Sequence, residues 1–268
     1  MKIKSKVIVV TGGGNGMGRE LVLQLLERGS KVVALDVNQS ALEETAKLAS
    51  EWSDFLSIYP VDITDKEVVE TLVETIINEL GFIDGIINNA GIIQPFIDLN
   101  NLSYDSIEKV FKVNFLGTIY ITKSFLPHLL TRPEAHIVNI SSMGGFLPVP
   151  GQTIYGATKA AVKLMTEGLA QELKQTNVRV SVVFPGAVGT NIMQNSGVTM
   201  PGLGDAKVQK SGVNLSPKNA SKKIIDKIEK NQERIFIGKD AIMMNLLYRI
   251  NARFASDFIG KQMNKILK

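Results

Sequence analysis

The sequence predicts an α/β fold: a single doubly wound domain in which helices cover both faces of about seven parallel strands. Three observations lead to this prediction. Short β-branched runs alternate with longer runs of helical periodicity, no linker interrupts the alternation, and runs such as IVNI and VSVVF are apolar at consecutive positions. Consecutive apolar positions are typical of strands that are buried on both faces of a parallel sheet.

The alternation predicts each element in chain order. The strand and helix patterns are KVIVV, MGRELVLQLLERG, KVVALD, ALEETAKLA, FLSIYPVD, DKEVVETLVETIINEL, DGIINNAG, a long helix from Ser103 to Leu130, HIVNIS, YGATKAAVKLMTEGLAQELK and VRVSVVFPG. Residues 187–216 are then rich in Gly, Asn and Ser, and we expect a flexible substrate lid there. Ser216 and Pro217 predict the next helix as its cap and first-turn proline, and a last strand, RIFIG, follows.

The pattern divides the chain into a catalytic domain over residues 1–238 and a C-terminal amphipathic helical extension over residues 239–268. The extension carries six basic and two acidic residues and so holds the whole net charge of +4. Residues 1–238 have 24 basic and 24 acidic residues, so we expect no binding to nucleic acid.

Composition excludes further classes of protein. The chain has no cysteine, which removes disulfides, thiolate nucleophiles and cysteine-ligated zinc. The two histidines, His128 and His136, are too few for a zinc site, so we expect no metal. The N-terminal apolar run meets glycines too early for a signal peptide, and no run approaches the roughly 18 apolar residues that span a bilayer. The sequence therefore predicts a cytoplasmic protein.

A glycine-rich segment, TGGGNGMG, lies between the first predicted strand and the first predicted helix. Glycines in this position permit a tight turn and let backbone amides approach a pyrophosphate at the helix N-terminus. The string alone is also compatible with an ordinary glycine turn, but its place in the alternation favours a Rossmann-type dinucleotide site. The residues expected to contact the cofactor are Gly12, Asn15, Gly16, Met17 and Gly18.

Asp36 ends the second predicted strand, 18 residues after Gly18. An acidic residue at about this distance accepts hydrogen bonds from the adenosine ribose and would repel a 2′-phosphate. No arginine or lysine stands beside it in the sequence, since Val37 to Ser40 follow. We therefore predict NAD rather than NADP, with a plain strand-end turn as the alternative role of Asp36.

Tyr155 and Lys159 are four residues apart in a predicted helix, so their side chains share a face. An ammonium group near a phenol lowers the pKa of the phenol, as does the positive ring of an oxidised nicotinamide. Such a tyrosine can take or give the proton of an alcohol. The same spacing also occurs in pairs that only decorate a helix surface, so the companion residues decide.

These motifs together resemble the short-chain dehydrogenase/reductase family over about residues 5–190. The matching segments, in family order, are TGGGNGMG, NNAG at Asn88–Gly91, the helix-kinking Asn114, NISS, YGATK and PGAVGT. The resemblance implies Tyr155 as general acid/base and Lys159 as the residue that lowers its pKa and binds the nicotinamide ribose. It implies that Asn114 holds a water of the proton relay. The family spacing of 13 residues before the tyrosine selects Ser142 over Ser141 as the group that binds the substrate oxygen.

The resemblance also implies the remaining cofactor contacts. Asp62 is assigned to the adenine edge, Asn88 and Ala90 to the adenosine side, and Val188 and Thr190 to the carboxamide. Asp62 could equally cap the helix that follows it. The further contacts in these same segments are Ile63, Gly91 and Pro185.

An apolar substrate is expected, because the residues that follow the strand C-termini carry few charges. The candidates are Ile93, Gln94, Phe96, Met143, Phe146, Val149, Ile192, Met193 and Met200. A steroid-like or lipid-derived alcohol or ketone fits them better than a sugar phosphate, although many of these residues could instead be core. The resemblance also implies a homodimer or homotetramer formed through the two long helices.

The C-terminal extension shows apolar residues at helical spacing with cations between them. The apolar positions are Met243, Leu246, Leu247, Ile250, Phe254, Ile259, Met263, Ile266 and Leu267. Docking on its own domain or on a sister subunit is one interpretation, and peripheral contact with a membrane surface is the other.

Three functions remain open at this point: an NAD-linked dehydrogenase of an apolar alcohol, an NADPH-linked 3-oxoacyl-carrier-protein reductase, and a dinucleotide sensor without catalysis. Asp36 argues against the second. The combination of Asn114, Ser142, Tyr155 and Lys159 argues against the third, because a sensor would not need all four.

Overall fold

The protein is described by a computed structural model over residues 1–198 and 215–267. Within these residues a seven-stranded parallel sheet has the order β3-β2-β1-β4-β5-β6-β7, which confirms the doubly wound α/β fold. The strands are β1 (Val7–Thr11), β2 (Lys31–Asp36), β3 (Leu56–Pro60), β4 (Gly85–Asn88), β5 (Ala135–Ile140), β6 (Val178–Pro185) and β7 (Arg234–Ile237).

Helices connect the strands and cover both faces of the sheet. They are α1 (Gly16–Glu27), α2 (Gln39–Leu48), α3 (Lys66–Leu80), α4 (Tyr104–Phe111), α5 (Gly117–Leu130), α6 (Thr153–Glu172), α7 (Ile192–Asn195), α8 (Pro217–Ile228), α9 (Lys239–Ile250) and α10 (Ala252–Leu267). Leu21 of α1 and Ile224 of α8 are buried against one face. Val69 of α3 and Phe125 of α5 are buried against the other. The strands are apolar at consecutive positions because both faces are covered.

The order of the strands reverses beside β1, which pairs with β2 on one side and with β4 on the other. The loops that leave β1 and β4 therefore diverge and open a crevice at the carboxyl edge of the sheet, where ligands of doubly wound folds bind. The glycine segment follows β1, and the NNAG segment includes the end of β4. The topology thus places two of the predicted motifs at one crevice.

The long helix predicted from Ser103 to Leu130 is present, with a local change in its middle. Ser103 caps α4 by accepting a hydrogen bond from the amide of Ser106. Between α4 and α5 the chain forms a π-helical turn over Lys112–Leu116, and Asn114 is buried in this turn. A π turn widens the helix by one residue and is often found at functional sites.

The chain after β6 partly falls outside the described residues. Of the predicted lid, residues 199–214, including Met200, are not among them. Ser216 caps α8 and Pro217 is its first residue, as predicted. No helix in the described ranges is both long and apolar enough to cross a bilayer.

The last two helices, α9 and α10, follow β7 and pack as a pair. Extended backbone at Asn251, with a φ of −149°, separates them. Leu247 and Ile259 contact a small cluster around Leu147 on the chain's own domain. This contact agrees with the interpretation that the extension docks on its own domain. Leu246 and Phe254, in contrast, are exposed.

Candidate active site

A cavity of about 570 Å³ opens at the crevice beside β1 and β4, within the range of small-molecule and cofactor sites. Most of the residues predicted to form the site line it. They are Gly12, Asn15, Gly16, Met17, Gly18, Asp36, Asp62, Ile63, Ala90, Gly91, Ser142, Tyr155, Lys159, Pro185, Val188 and Thr190. The structure thus brings together segments that are up to 178 residues apart, from Gly12 to Thr190. Two predicted residues, Asn88 and Asn114, do not line this cavity.

The glycine segment forms a tight turn that only glycine can take at several positions. Gly12 and Gly16 have φ angles of +68° and +51°, in the left-handed region. A Cβ at Gly18 would lie 1.8 Å from the carbonyl oxygen of Gly12. The turn leads directly into α1, whose first amides and helix dipole favour an anion. These residues therefore fit the pyrophosphate of a dinucleotide.

Asp36 lies at the carboxyl end of β2 with its carboxylate held in place by two backbone amides. The carboxylate accepts hydrogen bonds from Gly14 and Asn38, both at 3.0 Å. These contacts fix the direction of the side chain at the cavity wall. Two acceptor oxygens at this place fit the two hydroxyls of an adenosine ribose.

No ion pair of Asp36 is present among the described residues, and a cation of α1 instead contacts the backbone of the glycine turn. Arg19 of α1 reaches behind the glycine turn and donates to the carbonyl oxygen of Gly14 at 2.6 Å. The same guanidinium pairs with Glu44 at 2.6 Å and does not line the cavity. Sequence distance concealed this contact because α1 and α2 meet only after folding.

Asp62 and Ile63 line the cavity in the turn after β3. The alternative role of Asp62 as the cap of α3 is wrong, because Asp65 accepts from the amides of Glu67 and Val68, each at 3.1 Å. Asp62 instead accepts from the amide of Thr64 at 2.9 Å, which closes the turn before the helix. Because Asp65, three residues later, caps the helix, Asp62 stays in the turn that lines the cavity.

Three side chains with proton-transfer chemistry meet in the cavity. Tyr155 stands in the first turn of α6, and the Lys159 Nζ lies 5.9 Å from the centre of its ring. The Ser142 hydroxyl lies close enough to Tyr155 to lower the pKa of its phenol, and it accepts from the amide of Gly144 at 3.1 Å. The Ser141 hydroxyl donates to the carbonyl oxygen of Lys159 at 2.7 Å and is buried. Ser142, rather than Ser141, thus has the hydroxyl that reaches the tyrosine.

Burial dominates the electrostatics of these groups. It raises the pKa of Tyr155, and the nearby Ser142 hydroxyl offsets only part of this effect. It also lowers the pKa of Lys159 to about 8. The pKa of Tyr155 is thus raised in the protein alone, and the lowering expected from Lys159 together with an oxidised nicotinamide stays a prediction. The physical reason is that burial removes water from the charged form of each group, the phenolate of Tyr155 and the ammonium of Lys159. Within the described residues, the Lys159 ammonium donates to the carbonyl oxygen of Ile140 at 3.0 Å.

Asn114 supports the cavity from behind instead of lining it. Its Oδ1 accepts from the amide of Ile92 at 2.8 Å, and its Nδ2 donates to the Ile92 carbonyl at 2.9 Å and to the Thr158 hydroxyl at 3.1 Å. These bonds join the loop after β4 to α6. A Cβ at Gly91 would lie 3.1 Å from the Lys159 Nζ and 3.2 Å from the Asn114 Oδ1, so this glycine keeps the space between them open.

Asn88 does not reach the cavity with its side chain. Its buried amide nitrogen donates to the Thr122 hydroxyl at 2.9 Å and to the Asn139 Oδ1 at 2.8 Å, on the side of α5 and β5. The next residue, Asn89, lines the cavity and donates to the carbonyl oxygen of Thr11 at 3.1 Å. Both asparagines belong to the NNAG motif. Asn88 is the last residue of β4 and its side chain is buried, whereas Asn89 follows the strand and its side chain reaches the cavity.

Comparison with known proteins agrees with this geometry. A sequence profile described as short chain dehydrogenase matches residues 6–200. The chain belongs to the short-chain dehydrogenase family. The oxidoreductase SadH of Mycobacterium tuberculosis is 33% identical over 257 residues, which cover 92% of this chain and 91% of SadH.

Solved structures of other family members match over almost the whole chain. A short-chain dehydrogenase/reductase from Burkholderia phymatum in complex with NAD has a TM-score of 0.85 at 25% identity and covers 95% of this chain and 96% of its own. A serine dehydrogenase complexed with NADP+ has a TM-score of 0.78 at 28% identity, with coverages of 86% and 94%. This short-chain dehydrogenase is thus an oxidoreductase that uses a nicotinamide dinucleotide.

Two buried glutamines hold the start of α6, and sequence reasoning missed their role. The Gln94 Oε1 accepts from the amides of Ile154 and Tyr155, at 2.7 and 3.0 Å, and its Nε2 donates to the Gly151 carbonyl at 3.0 Å. Gln152 donates back to the carbonyl oxygen of Gln94 at 2.9 Å. The expected place of Gln94 in the substrate lining is wrong, because the residue is fully buried and satisfies the first amides of α6.

Contacts distant in sequence hold the segment after β6, and no local signal predicts them. The Asn15 side chain donates to the Asn195 Oδ1 at 3.3 Å. The Ser196 hydroxyl accepts from the amide of Ile93 at 3.0 Å. Asp240, in the first turn of α9, accepts from the amide of Ala187 at 2.7 Å. The short-chain dehydrogenase thus fixes the start of its predicted lid to the glycine turn, the loop after β4 and the C-terminal helices.

Proposed function

We propose that this short-chain dehydrogenase interconverts a secondary alcohol and a ketone with NAD, and that Tyr155 is its general acid/base. One observation carries the proposal: Ser142, Tyr155 and Lys159 lie in the same cavity as the glycine turn. A phenol and a hydroxyl that meet beside a dinucleotide site have the chemistry to bind an alcohol oxygen and move its proton.

When bound, the nicotinamide supplies the acceptor or the donor of the hydride. During oxidation of an alcohol, the carbon–hydrogen bond breaks with its electron pair while the Tyr155 phenolate takes the hydroxyl proton and the carbonyl double bond forms. Ser142 donates a hydrogen bond to the substrate oxygen and so keeps it beside the tyrosine. Lys159 places a buried positive charge near the phenolate that this direction requires.

NAD is proposed over NADP because of Asp36. Its carboxylate stands at the cavity wall, where it would accept from ribose hydroxyls and repel a 2′-phosphate. Arg19, which contacts the glycine turn from α1, is paired with Glu44 and does not line the cavity. We expect a higher kcat/KM with NAD than with NADP. Asp36→Ser should lower the ratio of the two kcat/KM values by about tenfold, which corresponds to roughly 1.4 kcal/mol. A preference of the unmodified protein for NADPH would contradict the assignment.

An apolar substrate is proposed from the wall around the tyrosine. Ile92 and Ile192 line the cavity beside Tyr155, and Ser142 leads into Met143. A hydrophobic alcohol or ketone, steroid-like or lipid-derived, suits such a wall.

A substrate panel tests the proposal as a whole. Hydroxysteroids, diols and hydroxyacyl compounds are supplied with NAD, and the absorbance of NADH reports turnover. Activity with apolar secondary alcohols is the expected result. Preference for 3-oxoacyl compounds with NADPH, or turnover of none of the compounds with either cofactor, would contradict it.

We propose further that the protein is cytoplasmic and that it forms a homodimer or homotetramer through its two long helices. Tyr104 at the start of α4 and Leu164 on α6 expose their side chains, by 84% and 68%, and could be covered in such an assembly. We also propose residues 1–238 as the catalytic unit and 239–268 as its extension.

A further inference from the structure

The two C-terminal helices present an exposed apolar surface, which we name the outer tail face. Six of the 16 exposed large apolar side chains among the described residues lie on these two helices. They are Ile242, Met243, Leu246, Ile250, Phe254 and Phe258, with exposed fractions from 39% to 75%. Leu246 and Ile250 are four residues apart, as are Phe254 and Phe258, so each helix gathers them on one side.

Other residues of the same two helices already pack on the chain's own domain. Met244 and Ala255 are buried there and pack with Leu147 in a cluster that also includes Met143 and Phe146. The helix pair therefore cannot turn its outer residues inward without exposing the inner ones. The outer tail face must be covered by something outside the described chain, or remain in water at a cost for each apolar side chain.

Cations accompany the outer tail face. Lys239, Arg249, Arg253 and Lys261 are exposed, and Arg249 and Lys261 each lie three residues beyond an apolar member of the face. One acidic residue, Asp257, is exposed among them. An apolar face with surrounding lysine and arginine is typical of helices that lie in the headgroup region of an anionic membrane.

We propose that the outer tail face docks the protein on an anionic membrane surface. A second copy of the chain is a poorer occupant, because a two-fold interface would bring the same cations on both copies toward each other. A bilayer accepts the apolar side chains in its acyl boundary and attracts the cations through its headgroups. This proposal rests on the proposed function in one respect: the apolar substrate proposed above would be dissolved in the membrane on which the protein docks.

The docked helices are also adjacent to the catalytic residues. Met143 follows Ser142 directly and Phe146 stands four residues after it, and both pack on the cluster that Leu147 forms with Met244 of α9 and Ala255 of α10. Asp240, at the start of α9, holds the turn that follows β6. Docking would therefore place the substrate side of the cavity next to the surface that stores the substrate.

Sedimentation of the full-length protein with vesicles tests the docking without cofactor or substrate, so its outcome is separate from that of the activity panel. The protein should co-sediment with vesicles of equal parts phosphatidylcholine and phosphatidylglycerol. A much smaller fraction of the protein should co-sediment with vesicles of pure phosphatidylcholine. Leu246→Glu and Phe254→Glu should each reduce partition by roughly tenfold. Phe55→Glu is the matched control, since Phe55 is 53% exposed and Phe254 56%, and it should bind as the unmodified protein does.

A charge variant keeps the test informative if an apolar variant misfolds. Arg249→Gln combined with Arg253→Gln should weaken binding to the anionic vesicles and leave the weak binding to phosphatidylcholine unchanged. Thermal unfolding confirms that each variant is folded. Equal sedimentation with and without vesicles would overturn the proposal. So would a concentration-dependent oligomer that Leu246→Glu dissociates while vesicle binding is absent, because a second copy would then occupy the face.

Discussion

The two sides of the cavity are built in different ways. The cofactor side consists of strand ends and backbone groups that are neighbours in sequence, as in the turn from Gly12 to Gly18. The substrate side is assembled from contacts between distant segments, such as the side chain of Gln94 with the amide of Tyr155, 61 residues apart. A site defined by its own backbone is encoded in a short motif, whereas a site defined by packing depends on the whole chain.

The cofactor side should tolerate almost no added volume, and a substitution there gives the largest expected effect on cofactor binding. In Gly18→Ala the new Cβ would overlap the Gly12 carbonyl at 1.8 Å, so the turn must shift. We expect a shift of this size to weaken NADH binding by about 100-fold. Fluorescence titration of NADH measures the change.

Gly168→Ala is the matched control for this variant. Gly168 lies in α6 with no atom within 4 Å of the position of a Cβ. Alanine there should stabilise the helix by up to about 1 kcal/mol and leave NADH binding unchanged. Normal NADH affinity of Gly18→Ala would show that the glycine turn does not hold the cofactor.

The substrate side should show losses of turnover without losses of cofactor binding. Gln94→Leu removes the acceptor of the Ile154 and Tyr155 amides, so the first turn of α6 and its tyrosine can shift. We expect kcat to fall by roughly tenfold to 100-fold while the Kd for NADH stays within about twofold. Stopped-flow turnover and NADH titration separate the two effects.

Gln94→Glu keeps the acceptor oxygens and should recover part of the lost turnover, which a general loss of packing would not allow. The exposed Gln171, also on α6, provides the control variant Gln171→Leu, which should behave as the unmodified protein does. An equal fall in kcat and in NADH affinity for Gln94→Leu would show that the effect is not confined to the tyrosine.

The smallest expected effect is on stability and concerns Lys159. Its pKa of about 8 in the folded protein lies below the ordinary value of 10.5, so the unfolded chain binds more protons between these pH values. The free energy of unfolding should therefore rise with pH through this window, and the buried ammonium costs stability below it. Lys159→Met should abolish turnover yet raise the free energy of unfolding at neutral pH by about 2 kcal/mol.

Urea unfolding of both proteins between pH 7 and 10.5 measures the difference, which should shrink toward the upper end of the window. A difference that stays constant with pH would mean that Lys159 is not a buried ammonium in the folded protein. If Lys159→Met raises the free energy of unfolding and abolishes turnover, then Lys159 serves the reaction at the expense of stability.

Much of the fold was predictable because parallel strands buried on both faces have an unmistakable pattern. The consecutive apolar residues of β1, β5 and β6 reflect burial on both sides of the sheet. Ser216 and Pro217 marked the start of α8 by local cap chemistry alone. The π turn at Lys112–Leu116 was not predictable from periodicity, because a single widened turn leaves the apolar pattern intact.

The candidate site was less predictable where a residue's role depends on the direction of its side chain. Asn88 and Asn89 are adjacent and chemically identical, yet only the second lines the cavity. Gln94 looked like a lining residue because it follows the NNAG segment, and its bonds to α6 exist only after folding. Burial raises the pKa of Tyr155 in the protein alone, an effect that sequence spacing could not predict, because spacing shows a neighbouring charge but not the loss of water.

Replacement of Tyr155 by phenylalanine tests the central claim most directly. Tyr155→Phe removes one oxygen from the cavity and leaves the glycine turn and Lys159 in place. Turnover of the best alcohol from the panel should fall by about 1000-fold or more, while NADH titration gives an unchanged Kd. Turnover within about tenfold of the unmodified protein would contradict Tyr155 as the residue that moves the proton.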